Sequence, residues 1–214
     1  RHLLMKIAVD RKETSMTGTT LLHTRRGAIF AALAGGAAAS AAAGASARAD
    51  SWAPPGEVAP TGDVHDFDYH LGAWTILNRR LKKRWTANPE WEEFPGETRY
   101  LSYLGGMVSV DDTKFPTKGW GGLTVRAFNP ATRQWSIYWI SSRDGVVGSP
   151  MVGGFTGNIG HFYGDDTDDG LPIKARFIRT KQPPDRERWE QAFSRDGGRT
   201  WETNWTGDFT RVRV

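Results

Sequence analysis

Glu190, Glu202 and Asn204, together with Arg176, are the polar residues of this 214-residue chain best placed by type and spacing to do chemistry. Two carboxylates can divide acid and base work when their separation suits a reaction. A carboxylate–arginine–amide set can instead orient a ligand inside an otherwise apolar pocket. On a wet sheet face the same residues would be ordinary cross-strand pairs. His161 is a second candidate: it follows Gly160 and shares a face with Ile159 and Tyr163. An imidazole so placed can bind a ligand or move a proton, with a structural or surface histidine as the plainer reading.

Two further clusters invite a metal reading and have simpler ones. His65, Asp66, Asp68 and His70 stand close together, but their spacing matches no zinc pattern, and a turn capped by the two aspartates accounts for them. Asp165-Asp166-Thr167-Asp168-Asp169-Gly170 is dense in carboxylates but lacks the spread of ligands and the terminal Glu of a calcium loop. Ending in Asp-Gly, it reads as a hairpin turn. The chain has no Gly-x-Ser-x-Gly elbow, P-loop, dinucleotide fingerprint or His-x-x-His pair. No cofactor and no metal are expected. Without cysteine, disulfides and thiolate chemistry are excluded.

The elements that would position these residues are strands. Candidates run over 74–85, 97–104, 106–112, 121–128, 134–141, 153–164, 173–180, 187–194 and 200–211, separated by turn residues such as Asn129-Pro130 and Asp196-Gly197-Gly198. Short links favour antiparallel neighbours. On the last segment Trp201, Thr203, Trp205, Gly207 and Phe209 share one face, and Glu202, Asn204, Thr206 and Asp208 the other. Trp189, Gln191 and Phe193 oppose Arg188, Glu190 and Ala192 in the segment before it. If the polar faces are interior, Glu190, Glu202, Asn204 and Arg176 line a cavity. If the aromatic faces are interior, Trp139, Trp189, Trp201 and Trp205 do. So many strands without an edge-protecting helix favour closure into an antiparallel up-and-down β-barrel, with a β-sandwich as the alternative. The irregular insert 86–96 is placed to cover an opening.

Composition changes near residue 49. Residues 25–49 combine Arg25-Arg26, a small-residue apolar run and Ala47-Arg48-Ala49, the three parts of an export signal cleaved after Ala49. The paired arginines resemble a twin-arginine signal, which implies export of a folded protein to the periplasm or beyond. Residues 1–15 read as an upstream extension, 50–64 as a flexible Pro/Gly-rich arm, and 65–214 as the barrel domain. Of the net charge of +4, residues 1–49 carry 7 basic and 2 acidic side chains, which leaves 21 against 22 from Asp50 onward. The basic signal of a nucleic-acid partner therefore disappears with the export segment. The weakly apolar run also argues against a retained membrane anchor.

Asp66-Phe67-Asp68 with Leu71-Gly72-Ala73-Trp74, Trp135-Ser136-Ile137-Tyr138-Trp139, Phe162-Tyr163-Gly164-Asp165-Asp166, Arg188-Trp189-Glu190-Gln191-Ala192-Phe193-Ser194 and Trp201-Glu202-Thr203-Asn204-Trp205 resemble an uncharacterised bacterial domain family. It carries the domain-of-unknown-function number 1579 and has lipocalin-like relatives. The resemblance spans residues 63–213 and implies a calycin-type barrel without an assigned activity. Gly72-x-Trp74 also looks like the lipocalin signature, which implies that Arg211, near the end of the last strand, packs over Trp74 as a structural pair. Haem-binding barrels of the nitrobindin type continue that signature with two glycines; this chain has Ile76 and Asn78 there. The expected function is binding of an apolar or aromatic small molecule, with His161, Tyr163, Arg176, Glu190, Glu202, Asn204 and Trp139 as ligand residues. The alternatives are a cofactor-free lyase or isomerase acting on such a molecule, and an interaction module, for example a homodimer, using an aromatic face.

Overall fold

Ten strands follow one another: β1 (Gly72–Leu81), β2 (Trp91–Tyr103), β3 (Val108–Phe115), β4 (Trp120–Asn129), β5 (Gln134–Ser141), β6 (Met151–Thr156), β7 (Ile159–Asp168), β8 (Leu171–Gln182), β9 (Arg186–Ser194) and β10 (Glu202–Arg211). Each pairs antiparallel with the next, and β1 pairs with β10, so the sheet closes on itself. The computed structural model describes residues 52–57 and 60–213; the extension and export segment read over 1–49 lie outside the described residues. The fold is thus a closed up-and-down barrel of the calycin type. A sandwich is excluded, since no strand pair leaves an edge and no second sheet exists among the described residues.

Several boundaries differ from the sequence pattern, two of them by more than a few residues. The segment 153–164 is two strands, because Gly157 at φ +61° turns the chain between Thr156 and Ile159. That left-handed conformation costs glycine little, and the two-residue turn interrupts an otherwise continuous apolar run. The irregular insert is shorter and earlier than 86–96. It spans 82–90, and residues 91–96 belong to β2, where Phe94 and Gly96 face inward opposite Asn78 and Ile76.

Strand alternation sorts side chains into wall and interior. Arg79–Glu93, Lys174–Asp165 and Arg188–Asp208 are ion pairs on the outer wall. An outer wall so charged is the reverse of a lipid-facing barrel, whose apolar band faces outward. No helix among the described residues is long and apolar enough to cross a membrane.

A short 3₁₀ turn, Asp68–His70, closes one end of the barrel. Phe67 from this turn is buried against Trp135, Phe155 and Phe162. His65 Nδ1 meets Asp68 Oδ2 at 2.8 Å, while Asp66 Oδ2 accepts the Asp63 amide at 2.7 Å. These aspartates therefore organise a turn, and the described residues contain no group of three or more potential metal ligands. Beside the turn, the Arg211 guanidinium lies 4.2 Å from the Trp74 ring centroid and donates to the carbonyls of Leu71 and Tyr69. Trp74 donates its indole N–H to the His70 carbonyl at 2.7 Å.

Candidate ligand-binding site

The barrel interior divides into a dry polar layer and a wetter aromatic half. In the dry layer, Arg179 Nε lies 2.6 Å from Glu187 Oε1, and His70 Nε2 lies 2.8 Å from Glu187 Oε2. Arg179 also donates to the Tyr100 hydroxyl at 2.8 Å. A second cluster pairs Arg126 Nη2 with Asp111 Oδ1 at 2.5 Å, and Thr98, Thr113 and Thr124 all donate to Asp111 Oδ2. Tyr100 joins the two, since the Arg126 and Arg179 guanidiniums lie 5.0 and 5.9 Å from its ring.

Burial sets the electrostatics of this layer. It pushes His70 down to about 4, against the opposing pull of Glu187, so the imidazole is neutral near pH 7. It pushes Glu187 up, but the charges and hydrogen bonds of Arg179 and His70 together outweigh it and hold the carboxyl at about 2. Burial raises Tyr100 to about 12. The layer therefore holds two guanidiniums against two carboxylates, closed to water. That arrangement fixes the interior geometry but gives no group access to a substrate.

The other half lies toward the end where β1 stops and β10 starts. Trp139, Phe177, Trp189, Gln191 and Trp205 all point inward, yet each keeps intermediate exposure. Mid-strand side chains that face the interior can be wetted only from inside. Trp189 packs edge-on to both Phe177 and Trp205, with centroids 5.4 and 5.6 Å away. The Trp139 ring packs on Gly122, where a Cβ would stand 2.3 Å from its Cζ2. A groove of about 600 Å³ straddles this rim, lined by outward Asp112, Lys114 and Leu123 as well as by inward Phe115, Trp120, Gly122 and Ser141. Arg80 stands among Phe94, Trp120 and Trp205, 5.2 to 5.7 Å from their centroids, and is held by Glu92 Oε1. Hydrogen bonds from Lys118 and then Arg80 hold the Glu92 carboxyl below the ordinary range.

A bulge in β10 supplies the polar groups. Thr203 pairs with Ala192 and Trp205 with Gln191, so Asn204 is the extra residue. A bulge can turn two successive side chains to one side of a strand. Here Glu202 (opposite the inward Phe193), Asn204 and Trp205 all reach the interior. Asn204 Oδ1 accepts Gln191 Nε2 at 2.8 Å, and Trp205 Nε1 donates to Asn78 Oδ1 at 3.0 Å. Asn204 Nδ2 and Glu202 Oε2 are buried without a hydrogen-bond partner.

The loop 82–90 runs over this end as a strap. Trp85 is a bulky residue at φ +60°, a conformation kept only where surroundings enforce it. Its amide donates to Glu202 Oε1 at 2.8 Å, and its indole N–H to Asp168 Oδ2 at 2.6 Å. Arg84 pairs with Asp168, and Arg195 lies 4.1 Å from the Trp85 ring centroid. The hydrogen bond from Arg84 holds Asp168 below the usual carboxylate range, despite burial.

Register therefore separates the residues that sequence grouped. Glu202, Asn204 and Trp139 face inward. Glu190 and Arg176 face outward, as do His161 and Tyr163, so the four-residue polar set is split by the wall. Glu190 joins Arg188 at 3.5 Å on the surface. Arg176 lies 4.6 Å from the Trp201 ring centroid, and Trp201 is outside as well, because the bulge breaks the alternation that put it with Trp205. His161 and Tyr163 line a smaller outer pocket of about 350 Å³ with Glu57, Pro60, Thr156 and Ile159. Trp52 packs on Tyr163 and Trp201, and Tyr163 donates to Glu57 Oε2 at 2.5 Å, so residues 52–57 lie against this wall. Burial lowers His161, while burial and then the Glu57 hydrogen bond raise Tyr163.

The dry layer was not visible as a cluster, though three of its charged members had a signal. Glu187 continues the inward series Trp189, Gln191, Phe193; Arg179 continues Ile173, Ala175, Phe177; Arg126 lies between Thr124 and Phe128. A charged residue in phase with an apolar face is that signal. No family model matches the chain, and no curated protein does.

Proposed function

We propose that this protein binds a small molecule with an apolar or aromatic body in the open half of its barrel. The observation that carries this reading is the intermediate exposure of inward-facing Trp139, Phe177, Trp189 and Trp205. Aromatic walls with a few convergent polar groups are the usual make-up of a ligand cavity. Of the expected ligand residues, Glu202, Asn204 and Trp139 serve this site. Export through a twin-arginine signal fits the reading, since Arg25-Arg26 and Ala47-Arg48-Ala49 would deliver a folded carrier to the periplasm. Kinship with the family numbered 1579 would suit a carrier and adds no activity.

Native mass spectrometry of the protein, incubated with a mixture of neutral aromatic compounds, tests the reading. The expected result is a one-to-one adduct that Trp205→Ala weakens while leaving the circular dichroism spectrum unchanged. A spectrum free of adducts, or adducts indifferent to Trp205 and Trp189 substitutions, would overturn it.

A further inference from the structure

The outer wall is not charged all the way round. The ion pairs Arg79–Glu93, Lys174–Asp165 and Arg188–Asp208 lie on β1, β2 and β7 to β10. Across β2 to β5, Leu101, Val110, Val125 and Tyr138 instead stand in one cross-strand row and point outward. Leu123 and Ile140 continue this apolar surface toward the open end of the barrel, and Tyr103 and Val108 toward the closed one. All of them are exposed or half-exposed. A contiguous apolar face on a sheet marks a surface that something covers. Residues 52–57 do not cover it, since they lie against Tyr163 and Trp201.

The two ends of this face differ in shape. At one end the turn Leu104–Gly106 holds Leu104 at φ +52° with 76 % of its surface in water, and exposed Met107 follows. A bulky residue in that conformation is strained, and a side chain left in water gains little within its own chain to offset the strain. At the other end lies the rim groove of about 600 Å³, walled on the outside by Asp112, Lys114 and Leu123. The Val110–Val125 row runs between this knob and this groove. A two-fold axis perpendicular to the wall at that row exchanges the ends, so the knob of each copy meets the groove of the other, as a self-complementary interface requires. The bordering charges suit a like copy as well. Arg99 stands opposite Asp112 in register with Lys114 beside them, so the border carries both signs and no field that would repel itself.

We propose that the outer face of β2 to β5 is the interface of a symmetric homodimer, with Leu104 of the partner subunit seated in the rim groove beside Lys114 and Leu123. The inference goes beyond small-molecule binding and does not depend on it.

Analytical ultracentrifugation of the full protein tests this. A species of twice the mass of one chain is expected. The mass of a single chain at about 100 µM, weaker than interfaces of ordinary size, would overturn the proposal. Leu104→Asp and Leu101→Glu put charges on the face at exposed positions, so the barrel should still fold, which circular dichroism checks. Each should weaken dimerisation at least about tenfold, whereas Thr167→Lys, exposed on β7, should not. A dimer indifferent to both face substitutions would overturn the assignment. Because the chain has no cysteine, introduced thiols read the arrangement directly. Under mild oxidation, a mixture of the Tyr103→Cys and Lys114→Cys proteins should form the mixed disulfide in preference to either self-linkage. Preferred self-linkage would overturn the exchange of ends. A monomer that sediments with anionic phospholipid vesicles, and fails to do so as Leu101→Glu, would give the face to a lipid surface and overturn the dimer.

Discussion

Arg179 and Glu187 meet inside the barrel at 2.6 Å, and their side chains keep 6 % and 0 % of their surface in water. Removing one member of such a pair leaves an uncompensated buried charge. Glu187→Gln should therefore lower unfolding stability by about 3–5 kcal/mol. Urea denaturation followed by tryptophan fluorescence measures this, and a loss under about 1 kcal/mol would mean the pair is not closed to water as described.

Acid should weaken the protein in two stages. His70 titrates at about 4 in the folded state against an ordinary 6.5, so the unfolded chain takes up a proton first as pH falls. Stability present above pH 6.5 is then lost progressively down to about 4, by an amount on the order of 3 kcal/mol. Glu187, at about 2 against an ordinary 4.5, contributes stability above 4.5 that is lost as pH falls toward 2. Denaturant midpoints should hold from pH 7.5 to about 6.5 and fall from there to 3. In His70→Gln, the decline between 6.5 and 4.5 should flatten.

Arg211→Ala uncovers Trp74 and frees the carbonyls of Leu71 and Tyr69. A loss of about 1–3 kcal/mol is expected. Arg211→Lys should recover only part of it, since an ammonium lacks the planar fork that covers the ring and reaches both carbonyls. Thermal melts of the two variants rank them.

Asp168→Asn weakens the fastening of the strap through both Arg84 and Trp85. Amide hydrogen exchange over residues 82–90 should quicken while exchange in β3 and β4 stays unchanged. Unaltered protection of 82–90 would show that the strap is held by its own packing.

Gly122→Ala puts a methyl group into the Trp139 ring and within 2.6 Å of the Ile140 carbonyl. Overpacking of this kind costs about 1–3 kcal/mol. Ligand affinity should fall alongside stability, because Trp139 must tilt into the open half.

The fold was legible wherever turn chemistry was plain. Asp169-Gly170 marks the β7–β8 hairpin, and Gln134–Ser141 is a strand with the bounds its pattern suggests. Gly157-Asn158 hid in an apolar stretch and cost a strand. Of the candidate ligand residues, Trp139, Glu202 and Asn204 reach the interior, although alternation offered the polar and the aromatic faces only as alternatives. The choice of face was not legible on β10, because strict alternation puts Trp201 with Trp205 and only the bulge separates them. His161 and Tyr163, grouped as sharing a strand face with Ile159, lie on the outer wall, where residues 52–57 pack against them.

Closure between β1 and β10 also sets when folding can finish. The register runs from Trp74–Arg211 to Arg80–Trp205, joining residues more than a hundred positions apart. Until residues 202–211 have left the ribosome, Gly72–Leu81 is a strand missing one neighbour, exposed to any other chain with a free edge. Contacts of such long separation are slow to form. The sheet is sealed only once that strand arrives, and until then the free edge of Gly72–Leu81 is the part of the barrel most open to wrong pairing.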